Sequence, residues 1–288
     1  MSRLFKAFLF KLRKDITFRV TLIVGAGVAV FLTFLYFILD YALETDEHIF
    51  LTGQSMLIGS LSPTQNFGLA IPVNLITYTV LEFTQGSIRN KIISGHSKAK
   101  IYVSLYLNGL IFAFSLLIVY TLICFGLGSA FGGFDPHGSY FGGLSSLTTG
   151  ATTLGEGYIL KILLIAFLVY SNIVAFTIFF AALFRNIGPT IPVVMVLLVM
   201  CSLISSFLAF PGIDEKVIWT VRIINPLYAL GAGESITKEV TDAHGNVSYT
   251  ASINLTNETF YSGIGSNVFY ILAFFFGGLV IFKHRDVK

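Results

Sequence analysis

The chain has 288 residues, 55% of them hydrophobic and only 11% charged, where a soluble domain carries about 25% charged residues. Its apolar residues come in blocks long enough to span lipid, which excludes an ordinary soluble globular protein. The net charge of +3 says little as a total; where the charges fall says more.

Residues 1–19 mix Leu4, Phe5, Phe8, Leu9 and Leu12 with Arg3, Lys6, Lys11, Arg13 and Lys14. The apolar set recurs at three and four residues, which predicts an amphipathic basic helix. Such a helix is expected to lie in the interface of a negatively charged leaflet. No small-residue cleavage site follows the first apolar run, so the start does not read as a secretory signal. A first span is expected over residues 20–39. An acidic stretch over 40–65 follows, with Asp40, Glu44, Asp46 and Glu47 and no basic residue. A second span covers 66–81 and contains Pro72 and Asn74. Glu82 to Lys100 is a short basic island, and a third span runs over 101–125.

The Gly-, Ser- and Thr-rich stretch Gly126–Gly157 has the composition of a flexible loop. A fourth span is expected over 158–183, a tight turn at Arg185 and Asn186, and a fifth span over 187–210. Pro189 and Pro192 fall in its first turns, where a missing N–H costs least. Residues 211–230 are apolar but short for a span, and read as a re-entrant outer segment. The polar stretch Glu234–Thr259 precedes a sixth span over 267–282. Residues 20–288 thus form one transmembrane domain, all-α in class.

The basic residues decide the orientation. The N-terminal stretch, the island, Arg185 and the tail Lys283–Lys288 hold nearly all of them. The opposite side holds Lys216, Arg222 and Lys238, with Lys161 near the outer end of the fourth span. The positive-inside rule then puts both termini and the island in the cytosol. The expected location is a cell membrane, of the bacterial plasma-membrane kind.

Few motifs carry chemistry. No G-x-x-x-x-G-K-[ST] loop occurs, so ATP is not bound by that route. Neither a nucleic-acid partner nor a catalytic residue is expected. Asp135 and His137 make a weak metal pair in a Gly-rich loop, and a plain loop is the better reading. Cys124 and Cys201 lie inside apolar runs and read as small core residues. The spans hold almost no ionisable group, which counts against an ion-coupled carrier; Glu82 and Lys161 sit at span ends, where they can reach the interface. The polar residues Asn74, Asn108, Ser171 and Asn172 either make interhelical hydrogen bonds or line a greasy pathway with sparse polar contacts.

Within the island, Ser87 is positioned to cap a short helix and Gly95 to end it in the left-handed conformation. Ile88 and Ile92 share a face with Ile93, with Arg89 and Lys91 outside that stripe. Seven to nine residues make too short a helix to be stable alone, so its neighbours must hold it.

The whole pattern resembles a membrane-spanning subunit of an ABC transporter, of the type-2 six-span permease class. The similarity is densest from Glu82 to Tyr102: Glu, then Gly-Ser-Ile-Arg-Asn-Lys-Ile-Ile, then Gly-His-Ser-Lys, then Ile-Tyr. Asn225-Pro226-Leu-Tyr and the ending Phe282-Lys-His-Arg-Asp286 add to it, while the long stretch Gly126–Gly157 departs from some relatives. The resemblance implies that residues 87–95 are a coupling helix docking on a separate ATP-binding subunit, present in two copies. It implies that Ser87, Ile88, Arg89, Asn90, Lys91, Ile92, Gly95 and His96 face or support that partner. Glu82 would brace the helix from the second span, and Arg185 would be a smaller second contact. A second permease, as a homodimer, completes the unit. ATP and Mg²⁺ would sit on the partner, with no cofactor on this chain. The implied cargo is hydrophobic or amphipathic: a peptide, drug or lipid-like molecule. The rival readings are a non-transporting scaffold or sensor that recruits a cytosolic protein, and an ion-coupled secondary carrier.

Overall fold

The computed structural model describes residues 2–42, 53–61, 70–133, 158–208, 235–241, 247–253 and 257–284, with the isolated positions 217 and 220. Nine helices and one hairpin appear among them. They are α1 (Ser2–Lys14), α2 (Ile16–Ala42), α3 (Gly53–Leu61), α4 (Ala70–Thr84), α5 (Ser87–Ile93), α6 (Lys98–Gly132), α7 (Tyr158–Phe184) and α8 (Ile187–Leu208), then β1 (Ser235–Thr241), β2 (Val247–Ile253) and α9 (Asn257–His284).

The long helices run between two ends of a bundle, and side-chain contacts fix which termini share an end. At the near end Lys11 of α1 meets Glu82 of α4, the Arg185 guanidinium lies 5.5 Å from the Phe83 ring, and the Phe83 and Phe282 rings are 5.7 Å apart. Lys98 of α6 donates to the Lys283 carbonyl at 3.1 Å. At the far end the Phe37 and Phe131 rings are 5.4 Å apart, the Gly53 N–H donates to the Gly133 carbonyl at 3.0 Å, and Lys161 lies 5.6 Å from the Phe260 ring. The stretches where the sequence concentrates its basic residues therefore meet at one end.

Among the described residues four helices are long and apolar enough to cross a membrane: Ile16–Ile38, Lys98–Gly132, Leu160–Phe184 and Phe260–His284. In α8 the apolar run described is shorter, Ile187–Cys201, and α4 has 15 residues, about 22 Å of helix against about 30 Å of hydrocarbon. Most of the core surrounds α7. From Val169 to Ile178 every residue of this helix is buried, Ser171, Asn172 and Thr177 included, as expected of a helix in the middle of a bundle. By contrast α2 and α9 expose rows of large apolar residues, such as Ile23, Phe31 and Phe34 on one and Phe269, Leu272 and Phe276 on the other.

Several boundaries differ from those expected. The amphipathic stretch over residues 1–19 breaks at Asp15, whose side chain accepts the Thr17 N–H at 2.8 Å and so caps α2. The third span runs on to Gly132 rather than stopping at 125, because the end of α6 is packed: α3 lies along it, and Gly53 is set against Ser129. Pro189 falls in the first turn of α8, but Pro192 lies inside the helix. The polar stretch before α9 is not plain loop. It holds an antiparallel hairpin pairing Ser235 with Ile253 and Thr241 with Val247. Its strands are rich in the β-branched residues that fit a pleated surface, so the described residues are helical in their regular structure with this one exception. Glu44, Asp46 and Glu47 of the acidic stretch, residues 134–157 with the metal pair Asp135 and His137, and nearly all of 211–230 lie outside the described residues.

Candidate functional site

The near end is organised by one carboxylate. Glu82 sits in the last turn of α4 with its side chain fully buried. Its Oε1 accepts from the Lys11 ammonium of α1. Its Oε2 accepts from the Ser87 hydroxyl and from Lys91 Nζ at 2.6 Å, both on α5. The Lys91 ammonium also lies 3.5 Å from the centre of the Phe8 ring of α1, a cation–π contact. Three helices are thus joined through a single side chain. A buried charge is tolerated only when paired and hydrogen-bonded, and here both oxygens are engaged.

Burial alone would raise the Glu82 carboxyl. The hydrogen bonds from Lys11, Lys91 and Ser87 outweigh it and hold the group below its ordinary value. For Lys91 burial is the larger effect and lowers the ammonium below its usual range, with Glu82 offsetting part of that. Glu82 was expected to reach the interface from a span end; it turns inward, because the two ammonium groups are there.

The local sequence explains how α5 is held. Gly86 precedes the helix with φ 68°, a left-handed conformation open to glycine. It occupies the capping position, and no side chain caps the helix. Ser87 is therefore the first helical residue rather than the cap, which frees its hydroxyl for Glu82. At the other end Gly95 has φ 86°. The Gly95 N–H donates to the Ile92 carbonyl at 3.0 Å and the His96 N–H to the Lys91 carbonyl at 3.1 Å, the pair of bonds that defines a Schellman stop.

The short helix has two faces. Ile88 is fully buried and Ile92 packs on the core. Ile93 does not share that stripe; it is 74% exposed, beside the exposed Arg89 and Asn90. Lys91 does not stand free beside Arg89 but is drawn in to Glu82 and Phe8. His96 is half-buried. Arg185, with φ 53°, closes the two-residue turn between α7 and α8, and Asn186 Oδ1 accepts the Gly188 N–H at 3.2 Å. This turn is adjacent to the end of α4 through the Arg185–Phe83 contact.

The four polar residues of the spans are not brought together. Asn74, Asn108 and Ser171 each donate to a carbonyl four residues back in their own helix, at 2.9, 2.9 and 2.8 Å, a common way for such groups to be satisfied. Asn172 reaches out, to Asn267 Oδ1 of α9 at 3.5 Å. Reading the sequence missed Lys11, Phe8 and Asn267. The signal for Lys11 was its place between Phe8 and Leu12, at the edge of the apolar stripe of α1.

The architecture is a multi-helix bundle with apolar helices of membrane-spanning length. The chain belongs to the DUF2705 family, described as protein of unknown function, whose family model matches residues 68–288. No curated protein matches the chain. Glu82, Ser87 and Lys91 fall within the matched region, whereas α1 falls outside it.

Proposed function

We propose that the chain is the permease subunit of an ATP-driven ABC exporter that moves a hydrophobic or amphipathic cargo out of the cytosol. In this reading it crosses a cell membrane six times, with both termini in the cytosol and with α5 as the coupling helix. The observation that carries it is the Glu82 junction: a short helix is presented at the basic end of the bundle and tied to α4 and α1 by charged hydrogen bonds. A push on the face formed by Arg89, Asn90 and Ile93 is then delivered to the long helices instead of being lost in a loop. The energy comes from ATP on a separate subunit, present in two copies beside a second permease. ATP shifts the equilibrium only by favouring one arrangement of α5 over another. The half-exposed apolar surface of α2 and α9 suits lipid.

The test is co-purification of the full chain with candidate ATP-binding subunits, followed by ATPase and transport assays of the complex. Arg89→Glu is expected to release the ATPase or to uncouple its turnover from transport while leaving Glu82, Ser87 and Lys91 paired. Transport unaffected by replacing residues 89–93 with Gly and Ser would refute the reading. A stable complex in which no cargo stimulates the ATPase would replace it with the scaffold.

A further inference from the structure

The two ends of the Glu82 carboxylate have different owners. Lys11 of α1 holds Oε1, while α5 holds Oε2 through Ser87 and Lys91. The carboxylate is planar and rigid, so fixing one oxygen fixes the direction of the other. Ser87 and Lys91 stand four residues apart, on one face of α5, so their two bonds stop the helix from turning about its axis. With seven residues, α5 is too short to hold its own shape, and its pose comes from these outside contacts. Phe8, one turn before Lys11, closes the arrangement by laying its ring against the Lys91 ammonium.

We propose that Lys11 is a positioning residue for α5: by occupying Oε1 of Glu82 it aims Oε2 at Ser87 and Lys91, so the N-terminal helix sets the pose of a helix it reaches through one carboxylate. Lys11 and Glu82 are 71 positions apart in the chain, and α1 lies outside the matched family region. The pose of the α5 surface is then not a property of α4 and α5 alone. Removing Lys11 leaves Oε1 buried without a partner, and the carboxylate rotates to share its remaining donors. The inference stands whatever α5 meets, so it does not rest on the transporter reading.

The experiment is amide hydrogen exchange followed by mass spectrometry on the full chain in nanodiscs of phosphatidylglycerol and phosphatidylethanolamine, with no partner protein. Lys11→Met is expected to speed exchange of the amides of residues 90–96 by roughly two- to fivefold, the scale of losing a solvent-screened ion pair. Lys11→Arg is expected to restore protection, since it returns a cation to Oε1. Lys14→Met, which removes an ammonium 4.5 Å from the Phe10 ring of the same helix, should leave α5 unchanged. The amides of residues 169–178 in α7 report whether the bundle is intact; if Lys11→Met disturbs them, the milder Lys11→Gln is read instead. A variant that loosens α1 but leaves α5 as protected as in the parent chain would overturn the proposal, as would failure of Lys11→Arg to restore it.

Discussion

Replacing Glu82 with Gln keeps the shape of the side chain and removes its charge. The loss can be worked from the contacts. The Lys91 link, 2.6 Å long with Lys91 one-fifth exposed, is of the charge-assisted kind and contributes about 1.5–3 kcal/mol. The Lys11 link is discounted to about 0–1 kcal/mol, because that side chain is 43% exposed and solvent screens it. The Ser87 hydroxyl contributes about 1 kcal/mol. Gln retains one acceptor oxygen and recovers about 1 kcal/mol of the total. The net expected loss is therefore about 1.5–4 kcal/mol, with two ammonium groups left facing an amide. Equilibrium unfolding of the full chain in mixed micelles with increasing sodium dodecyl sulfate measures it. A loss under about 0.5 kcal/mol, within the range of ordinary surface substitutions, would refute the claim that this carboxylate holds the near end together. The double variant Glu82→Gln with Lys91→Met should cost less than the sum of the two singles, because the second change removes a charge the first has stranded.

Acid should act on the same group. With its folded value held below the ordinary 4.5, Glu82 contributes stability that is fully present above that value and is lost as pH falls through the lowered one. Unfolding of the parent chain is expected to be flat from neutral pH to about 5 and to weaken below 4, and the Glu82→Gln chain should lack that component of the acid dependence. Gly95→Ala puts a methyl group on a residue with φ 86° and should cost about 1 kcal/mol, read as faster exchange at the end of α5; Gly95→Asn should cost less, because Asn tolerates this conformation. Gly109→Ala would bring a Cβ to 2.8 Å from Val174 and 3.1 Å from Ile178. Its overpacking cost of about 1–3 kcal/mol should exceed the gain of about 1 kcal/mol from helix propensity, and adding Val174→Ala should recover part of the loss in the same unfolding assay.

How much of this was legible depends on the range of the forces involved. The apolar runs placed α2, α6, α7 and α9, because each follows from a property of consecutive residues. Gly95 announced the end of α5 for the same reason: a stop needing φ > 0 is written in one residue. The near-end cluster of basic stretches was also readable from their spacing between the runs. What escaped depends on pairing across the chain. Ser87 has the composition of a cap, and only the arrival of Glu82 from α4 explains why its hydroxyl points elsewhere. Lys91 has the composition of a solvated residue, and only Phe8 and Glu82 draw it in. Ile93 looked like part of the stripe of Ile88 and Ile92, yet two adjacent residues are about 100° apart on a helix, and the core has room for one of them. The hairpin of β1 and β2 was hidden because its polar composition matches a loop, and only its β-branched residues point the other way.

The pair Gly277–Gly278 near the end of α9 has a mechanical consequence. Gly278 is set against the phenol of Tyr102, and Gly277 lies where a Cβ would come within 3.2 Å of the Phe179 ring. Rotating α9 by one residue in one sense brings Gly277 under the phenol but carries Phe276 into the place of Gly277, against the Phe179 ring. Rotating it in the other sense brings Leu279, and a branched side chain must enter the space that Tyr102 fills. Either sense thus sets a large side chain where a glycine now sits, and the glycine pair works like a detent that holds the last helix in one angular setting.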